Sequence, residues 1–476
     1  MVFKKFNKPE LILAILTVIA IFLFYLLFNF NYLSTWIDEK GDAKTYEYYV
    51  RLGIPKFLYN PHHIAFDWLG QSFYKICKNN GYTGSAMTVL QLRNLIISSM
   101  GLGLLFLFLY KFSKKYFLSL IIVAAIAFSC AYWIYSQIND TPIIHSVLLA
   151  LLFFFTIYFP QAKNKYLYSI FLGTFHAVTI FFHQTDILFF LVITFVILLG
   201  NNFKFKNDMK LPSDSFSFFE NNSVNIASQN SFKIYNLRYF FIYAFSALTI
   251  VVIAYYYVGV VLIGLTLDPS KADSFNEIKE STYFFNWLVL YTKIDYWGKG
   301  YEGNTLQKIM HGITTYFYQP QTINGNQVEF NFSNFFSTNA ILPNTIYTFL
   351  LSIFSLSIIL IKPLYKKYKY IFIANIIFLI TYFMFAGWWE PDYREFWVAP
   401  MFAFWFLSFF VINYLLDKFK FAKPVPQLLI YSFISTLVIL LFYFNFLGFL
   451  YPNASTDYKK FDIVKNQNSS YKKINN

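Results

Sequence analysis

An all-α polytopic membrane protein of about eleven spans is the fold class this sequence predicts, and three observations carry it. Of 476 residues, 57% are hydrophobic, 23% aromatic and only 13% charged, too little charge to cover a soluble surface of this size. The apolar residues come in long runs, and a hydrocarbon core of about 30 Å needs roughly 20 of them per helix. Lysines occupy alternate short connections between those runs, the signature of membrane topology. The net charge of +14 is mainly lysine, with an excess on the inner side that reads as anchoring to an anionic leaflet; it is no nucleic-acid signature. Cys77 and Cys130 make no disulfide framework.

The candidate spans cover about 10–33, 88–110, 116–136, 142–159, 166–182, 185–200, 238–266, 341–361, 370–388, 396–416 and 427–450, each near the length a bilayer requires. Lys4, Lys5 and Lys8 precede the first, and no small-residue cleavage site follows it, so it reads as a retained helix. Lys111, Lys114 and Lys115, then Lys163 and Lys165, then Lys362, Lys366, Lys367 and Lys369, then Lys418, Lys420 and Lys423 fall on one side. That side is the cytoplasm by the positive-inside rule, which places the N-terminus inside and the tail after Tyr451 outside a bacterial inner membrane. On this topology five of the 24 carboxylates lie inside and nineteen outside. The expected organisation is an N-terminal membrane module over 1–266 containing a first extracytoplasmic loop at about 34–87, an extracytoplasmic region over 267–340, and C-terminal membrane helices with an outside tail over 341–476.

Taken in order, the first outside loop opens on Asp38-Glu39-Lys40-Gly41-Asp42. Asp42 is placed to cap a short helix over Ala43 to Leu52, closed by Gly53 and broken by Pro55. A second helix is expected from Tyr59-Asn60-Pro61-His62-His63, with Pro61 in its first turn. Phe66, Leu69, Phe73 and Ile76 would share one face and His63, Asp67, Gln71, Tyr74 and Lys78 the other, as in a helix lying along a membrane surface. His62 falls on the apolar side and reads as structural.

Arg93 lies one to two turns inside the second span, where a guanidinium must face a polar cavity or reach out of the membrane. Ser136-Gln137-Ile138-Asn139-Asp140-Thr141-Pro142 reads as a tight outside turn, with Asp140 as a helix cap. The helix it opens points its positive end outward, a place that suits phosphate, and His145 follows one turn later. The fifth and sixth spans are short, so Phe182-His183-Gln184-Thr185-Asp186 between them should line a cavity below the surface. Residues 201–237 read as a poorly ordered linker. Ser281 to Thr292 is a candidate interfacial helix, and Tyr296-Trp297-Gly298-Lys299-Gly300-Tyr301 is an aromatic loop of the kind that suits either sugars or a membrane interface. Trp388 to Trp397 forms a dense turn containing Glu390, Asp392 and Arg394.

The unusual polar residues therefore gather on the outer face, while the inner loops hold lysines and little else. Glu390, Asp392 and Arg394 can equally form a structural network. His63 and Asp67 are one helical turn apart, a spacing compatible with a metal, but no third ligand is evident and no metal site is assigned. A Gly-rich phosphate loop is absent.

An N-terminal cytoplasmic helix with an acidic pair, Asp38-Glu39, at its outer exit, surface helices in the first loop, clustered short spans and a later outside region together resemble the GT-C superfamily. These are integral-membrane glycosyltransferases that use polyprenyl-phosphate sugars, of the protein O-mannosyltransferase and aminoarabinose transferase type. The resemblance covers the first 200 residues or so best, and Asn60-Pro61-His62-His63 matches neither named subfamily. For that chemistry the outer face supplies Asp38 or Glu39 as the catalytic base, Arg394 and Arg93 with His183 or His63 as donors at the phosphate, and His63, Asp67 and Glu390 in contact with substrate. The resemblance implies inversion at the anomeric carbon, a polyprenyl-phosphate sugar donor and a lipid, glycan or protein acceptor. The alternatives are a polysaccharide polymerase or ligase, against which the lack of arginine over 267–340 counts, and a lipid-linked glycan transporter, for which no inverted repeat is visible.

Overall fold

The computed structural model describes residues 8–31, 42–200, 236–271, 282–289, 305–318, 322–323, 326–327, 341–419 and 425–450. Every apolar run becomes helix. In chain order the helices are α1 (Lys8–Asn31), α2 (Asp42–Leu52), α3 (Pro55–Leu58), α4 (Phe66–Asn79), α5 (Ala86–Ser113), α6 (Tyr116–Phe128), α7 (Cys130–Gln137), α8 (Pro142–Tyr158), α9 (Lys165–Phe182), α10 (Phe190–Leu199), α11 (Leu237–Tyr256), α12 (Phe284–Leu288), α13 (Thr305–Phe317), α14 (Ile341–Ile359), α15 (Ile361–Tyr368), α16 (Tyr370–Trp389), α17 (Val398–Lys418) and α18 (Val425–Leu441). The described strands form one two-residue ladder, Thr322–Ile323 against Asn326–Gln327. The protein is thus an all-α, multi-pass membrane protein.

The expected count of eleven spans is not matched among the described helices. Eight described helices are long and apolar enough to cross a membrane, or nine if the pair α6 and α7 counts as one. That pair bends by 66° at Ser129, where the hydroxyl returns to the Ala125 carbonyl at 2.8 Å, a side-chain competitor of the helical ladder that favours bending. The segment Gln184–Leu199 is shorter than a span. It turns back on α9 through a 3-10 stretch, Gln184–Phe189.

The region around α17 is the central pillar, with 89% of its apolar window buried, whereas α1 and α18 have 17% and stand at the rim. Lipid is as apolar as leucine, so these helices associate through packing and polar bonds more than through the hydrophobic effect. Rings supply the packing: Phe153 stacks on Phe406 at 5.2 Å and meets Phe378 at 5.8 Å. Polar bonds supply the rest, as where Asn375 donates to the Ala403 carbonyl at 3.1 Å and Asn413 to the Tyr368 hydroxyl at 3.0 Å. Lys115 and Lys367 both pair with Asp417 where α6, α15 and α17 meet. The lysine-rich connections thus share that end of the bundle, and the histidines and Arg93 lie toward the other.

In the first loop, α2 ends as expected at Gly53, whose φ of +66° is one that a side chain would strain. The next helix starts later than the sequence suggests. Residues 59–65 form an irregular turn, so Pro61 lies outside α4, which begins at Phe66. Its two faces differ as predicted, but the polar one points inward: Asp67, Gln71 and Tyr74 are buried, while Trp68 and Ile76 are 48% and 59% exposed. Gly70 permits this approach, because a Cβ there would meet Arg93 Nη1 and Leu90 Cδ2 at 2.7 Å. Of the expected helix at Ser281 to Thr292, the described residues 282–289 contain α12.

Candidate functional site

Five of the six histidines gather where the 59–65 turn, the N-terminal end of α8 and the α9 exit meet. Backbone bonds bring these elements together: the Ala65 amide donates to the Phe181 carbonyl and the Gln184 amide to the His62 carbonyl, both at 2.9 Å. Tyr255 Oη fixes the Pro61 carbonyl from α11 at 2.9 Å. The result sets the His62 ring edge against His183 at 4.2 Å and stacks His183 on His145 at 4.6 Å. Trp389, beside Glu390, lies parallel to His62 at 6.4 Å.

Hydrogen bonds assign the protons. His145 Nδ1 faces the Asp186 carboxylate at 3.1 Å; a carboxylate accepts, so Nδ1 carries hydrogen and Nε2 points away. His176 Nε2 donates to the Asp186 carbonyl at 2.9 Å, and its Nδ1 takes the Tyr243 hydroxyl at 2.7 Å. His183 Nδ1 accepts from the Thr185 amide at 3.4 Å and pairs with the Thr185 hydroxyl. In neutral His183 the proton is therefore on Nε2. His63 Nε2 meets the Tyr46 hydroxyl at 3.1 Å. Burial, followed by neighbouring His62, pushes the His63 imidazole down to about 3. Burial pushes His62 down to about 4.

Arg93 takes part in a different network. Its Nη1 donates to the Phe66 carbonyl at 3.0 Å, its Nη2 to Asn139 Oδ1 at 3.0 Å, and Nε and Nη2 share Asn94 Oδ1 at 3.1 and 2.9 Å. The guanidinium covers the Phe66 ring at 4.1 Å and faces the charge of Asp67. Asn94 in turn donates to the carbonyls of Ile138 and Asp140, both at 2.8 Å. Arg93 and Asp67 thus tie α4 to the 136–140 turn, with the arginine's donors directed at protein acceptors. Asp140 accepts from the Thr141 amide at 2.6 Å, in keeping with its reading as a local cap.

Arg394 lies on the other side of that turn, donating to Cys130 Sγ at 3.9 Å and within electrostatic range of Tyr135 together with Glu395 and Asp140. Gly312 of α13 holds the 390–397 turn close, since a Cβ would meet the Pro391 carbonyl at 2.1 Å. Asp38 and Glu39 lie outside the described residues, but the chain on either side does not. Asn29 accepts from Gln137 Nε2 at 2.9 Å, and Asn139 Nδ2 donates to the Ala43 carbonyl at 3.2 Å, so both flanks of the acidic segment are held to one turn.

Of the sequence candidates, His183 and His63 join the histidine cluster, Glu390 adjoins it through Trp389, and Arg93 and Asp67 belong to the tie. His62, read as structural, is a member of the cluster. His176 and Tyr243 were not singled out because each lies within a helix whose apolar pattern absorbs it, and Tyr46 because it is one of several tyrosines in the short helix α2. Among the described residues, no group of three or more His, Cys, Asp or Glu is arranged to hold a metal.

No family model matches the chain, and no curated protein sequence does. Among solved structures it is similar to ArnT from Cupriavidus metallidurans bound to undecaprenyl phosphate, with a TM-score of 0.53 at 10% identity over 94% of this chain and 78% of that one. A second similarity, to the Archaeoglobus fulgidus oligosaccharyltransferase in complex with Zn and sulfate, has a TM-score of 0.46 at 13% identity over 88% of this chain and 52% of that one. The likeness to ArnT is one of fold alone.

Proposed function

We propose that this GT-C-type membrane protein is a glycosyltransferase that moves a sugar from a polyprenyl-phosphate donor to an acceptor at the extracytoplasmic face of the inner membrane. The reading rests on one observation above the others. The buried His183, His145 and Asp186 and the half-buried His62 meet beside the turn that holds both flanks of the Asp38-Glu39 segment.

Displacement of a lipid phosphate from an anomeric carbon needs a base for the acceptor hydroxyl and fixed donors for the departing anion. Asp38 or Glu39 serves as the base, an effect of about 10²–10⁴ in rate. His183 Nε2–H and Arg394 serve the phosphate, where preorganised donors away from bulk water supply the largest share of stabilisation. Glu390 and His63 border the sugar, and a single displacement inverts the anomeric centre. Arg93 and Asp67 contribute by holding the turn rather than by touching the donor.

The test mixes purified protein with a panel of undecaprenyl-phosphate hexoses and pentoses and a membrane extract as acceptor source. Wild type should release undecaprenyl phosphate from at least one donor, and Asp38→Asn or Glu39→Gln should reduce that release 100-fold or more. Release undiminished in both variants would remove the base from this pair.

A further inference from the structure

We propose that His145, oriented by Asp186 and stacked on His183, is the acid that gives a proton to the departing lipid phosphate. This rests on the glycosyltransferase reading and assigns a second proton within it.

Asp186 is fully buried, and its Oδ1 is directed at His145 Nδ1. Its Oδ2 is buried without a hydrogen-bond partner, so the carboxylate's hydrogen bonding is concentrated on one imidazole. His176, itself held by Tyr243, pins the Asp186 backbone carbonyl from behind and keeps the carboxylate in place. A buried carboxylate in this position fixes the ring of its partner and keeps hydrogen on Nδ1. The imidazolium has one further N–H, at Nε2. His183 adds a second Nε2–H from its neutral tautomer, and the two rings are stacked 4.6 Å apart at 29°. Neither Nε2 makes a hydrogen bond within the described residues. One is a fixed donor and the other donates or accepts according to its proton, a combination that suits a phosphate, whose oxygens exchange a proton near neutrality.

The step balances. The C1–O bond to the phosphate breaks and its electron pair stays on that oxygen, which takes the Nε2 proton of His145. The acceptor oxygen bonds to C1 and releases its proton to the Asp38-Glu39 base. The lipid leaves as the hydrogen phosphate, and solvent returns a proton to His145.

Base and acid together make the rate rise and then fall with pH. The titratable groups around His145 are Asp186, His183, His62 and His63, with Tyr382 of α16 facing Asp186.

The experiment has two arms. In the first, the kcat of undecaprenyl phosphate release is followed against pH. His145→Gln should lower it about 100-fold or more, leave the donor KM within threefold and abolish the alkaline limb. Asp186→Asn, which removes the charged group that orients the ring, should lower kcat about tenfold or more and leave the donor KM within threefold. Activity within threefold of wild type in His145→Gln, or an alkaline limb that stays in place, overturns the assignment. In the second arm, phosphorus NMR follows the protonation of undecaprenyl phosphate bound to wild type and to Asp186→Asn. The bound phosphate should titrate differently in the two proteins, and identical titrations overturn the assignment. A wild type that consumes no donor overturns the transferase reading itself, and the phosphorus arm still decides whether His145 and Asp186 act on a phosphate.

Discussion

Replacing Arg93 by methionine tests whether that guanidinium is a structural tie or a phosphate ligand. The substitution keeps the stem and removes the donors that reach the Phe66 carbonyl, Asn94 and Asn139. It also removes the positive charge that faces Asp67. Hydrogen bonds to a charged group contribute about 1.5–3 kcal/mol each, and Asp67 is left as a buried carboxylate without the counter-charge it faces. These terms overlap because they describe one network, so the expected loss is about 4 kcal/mol, shared between the lost hydrogen bonds and the carboxylate left behind. Adding Asp67→Asn removes that carboxylate's charge and should recover about half of the loss, a coupling of about 2 kcal/mol. Reversible unfolding in mixed micelles, run on wild type, both single variants and the double, gives the cycle. A cost below about 1 kcal/mol for Arg93→Met, or a coupling below about 0.5 kcal/mol, would refute the tie. If stability were unchanged while affinity for undecaprenyl phosphate fell, Arg93 would be a ligand.

Stability should depend on pH through His63. Unfolded, it takes up a proton below its ordinary value of 6.5, and folded only near 3. The unfolded chain therefore binds more protons between those values, so stability is complete above about 6.5 and is lost as pH falls through that window. Unfolding midpoints between pH 7 and 4 should fall, and fall less in His63→Gln; parallel curves for the two proteins would contradict the burial of this imidazole. Topology is best probed at Asn80, which is exposed at the end of α4, because Asn139, central to its turn, is fully buried. A cysteine at Asn80, in a chain whose Cys77 and Cys130 are serine, should react with an impermeant maleimide from outside the cell. Labelling only after the membrane is opened would reverse the orientation.

The span positions, the helix closed by Gly53 and the shared end of the lysine-bearing connections were legible because each depends on local composition or on one residue's backbone preference. Two things were not. The apolar run continues on both sides of Ser129 with no Pro or Gly to mark the bend, which is made by a serine hydroxyl whose effect depends on context. Periodicity revealed that α4 has two unlike faces but not which one meets the protein. In a membrane protein a polar face can be the inner one, since Asp67 there faces the Arg93 guanidinium, a charge that lipid would not supply. The site divided in the same way. His63, Arg93, His183 and Arg394 stood out as polar residues at span ends, whereas His176 and Tyr243 sit inside apolar helices, and the bonds that make them matter join elements far apart in the chain.

The bonds from Ala65 to Phe181, from Gln184 to His62 and from Tyr255 to Pro61 make the histidine turn an anvil rather than a jaw. With three helices gripping its backbone, the turn cannot yield to an incoming substrate. Any opening and closing has to be carried by whatever faces the turn, and the imidazoles meet each substrate in the same pose. Selection is then a matter of what shape can be pressed against a surface that does not adapt.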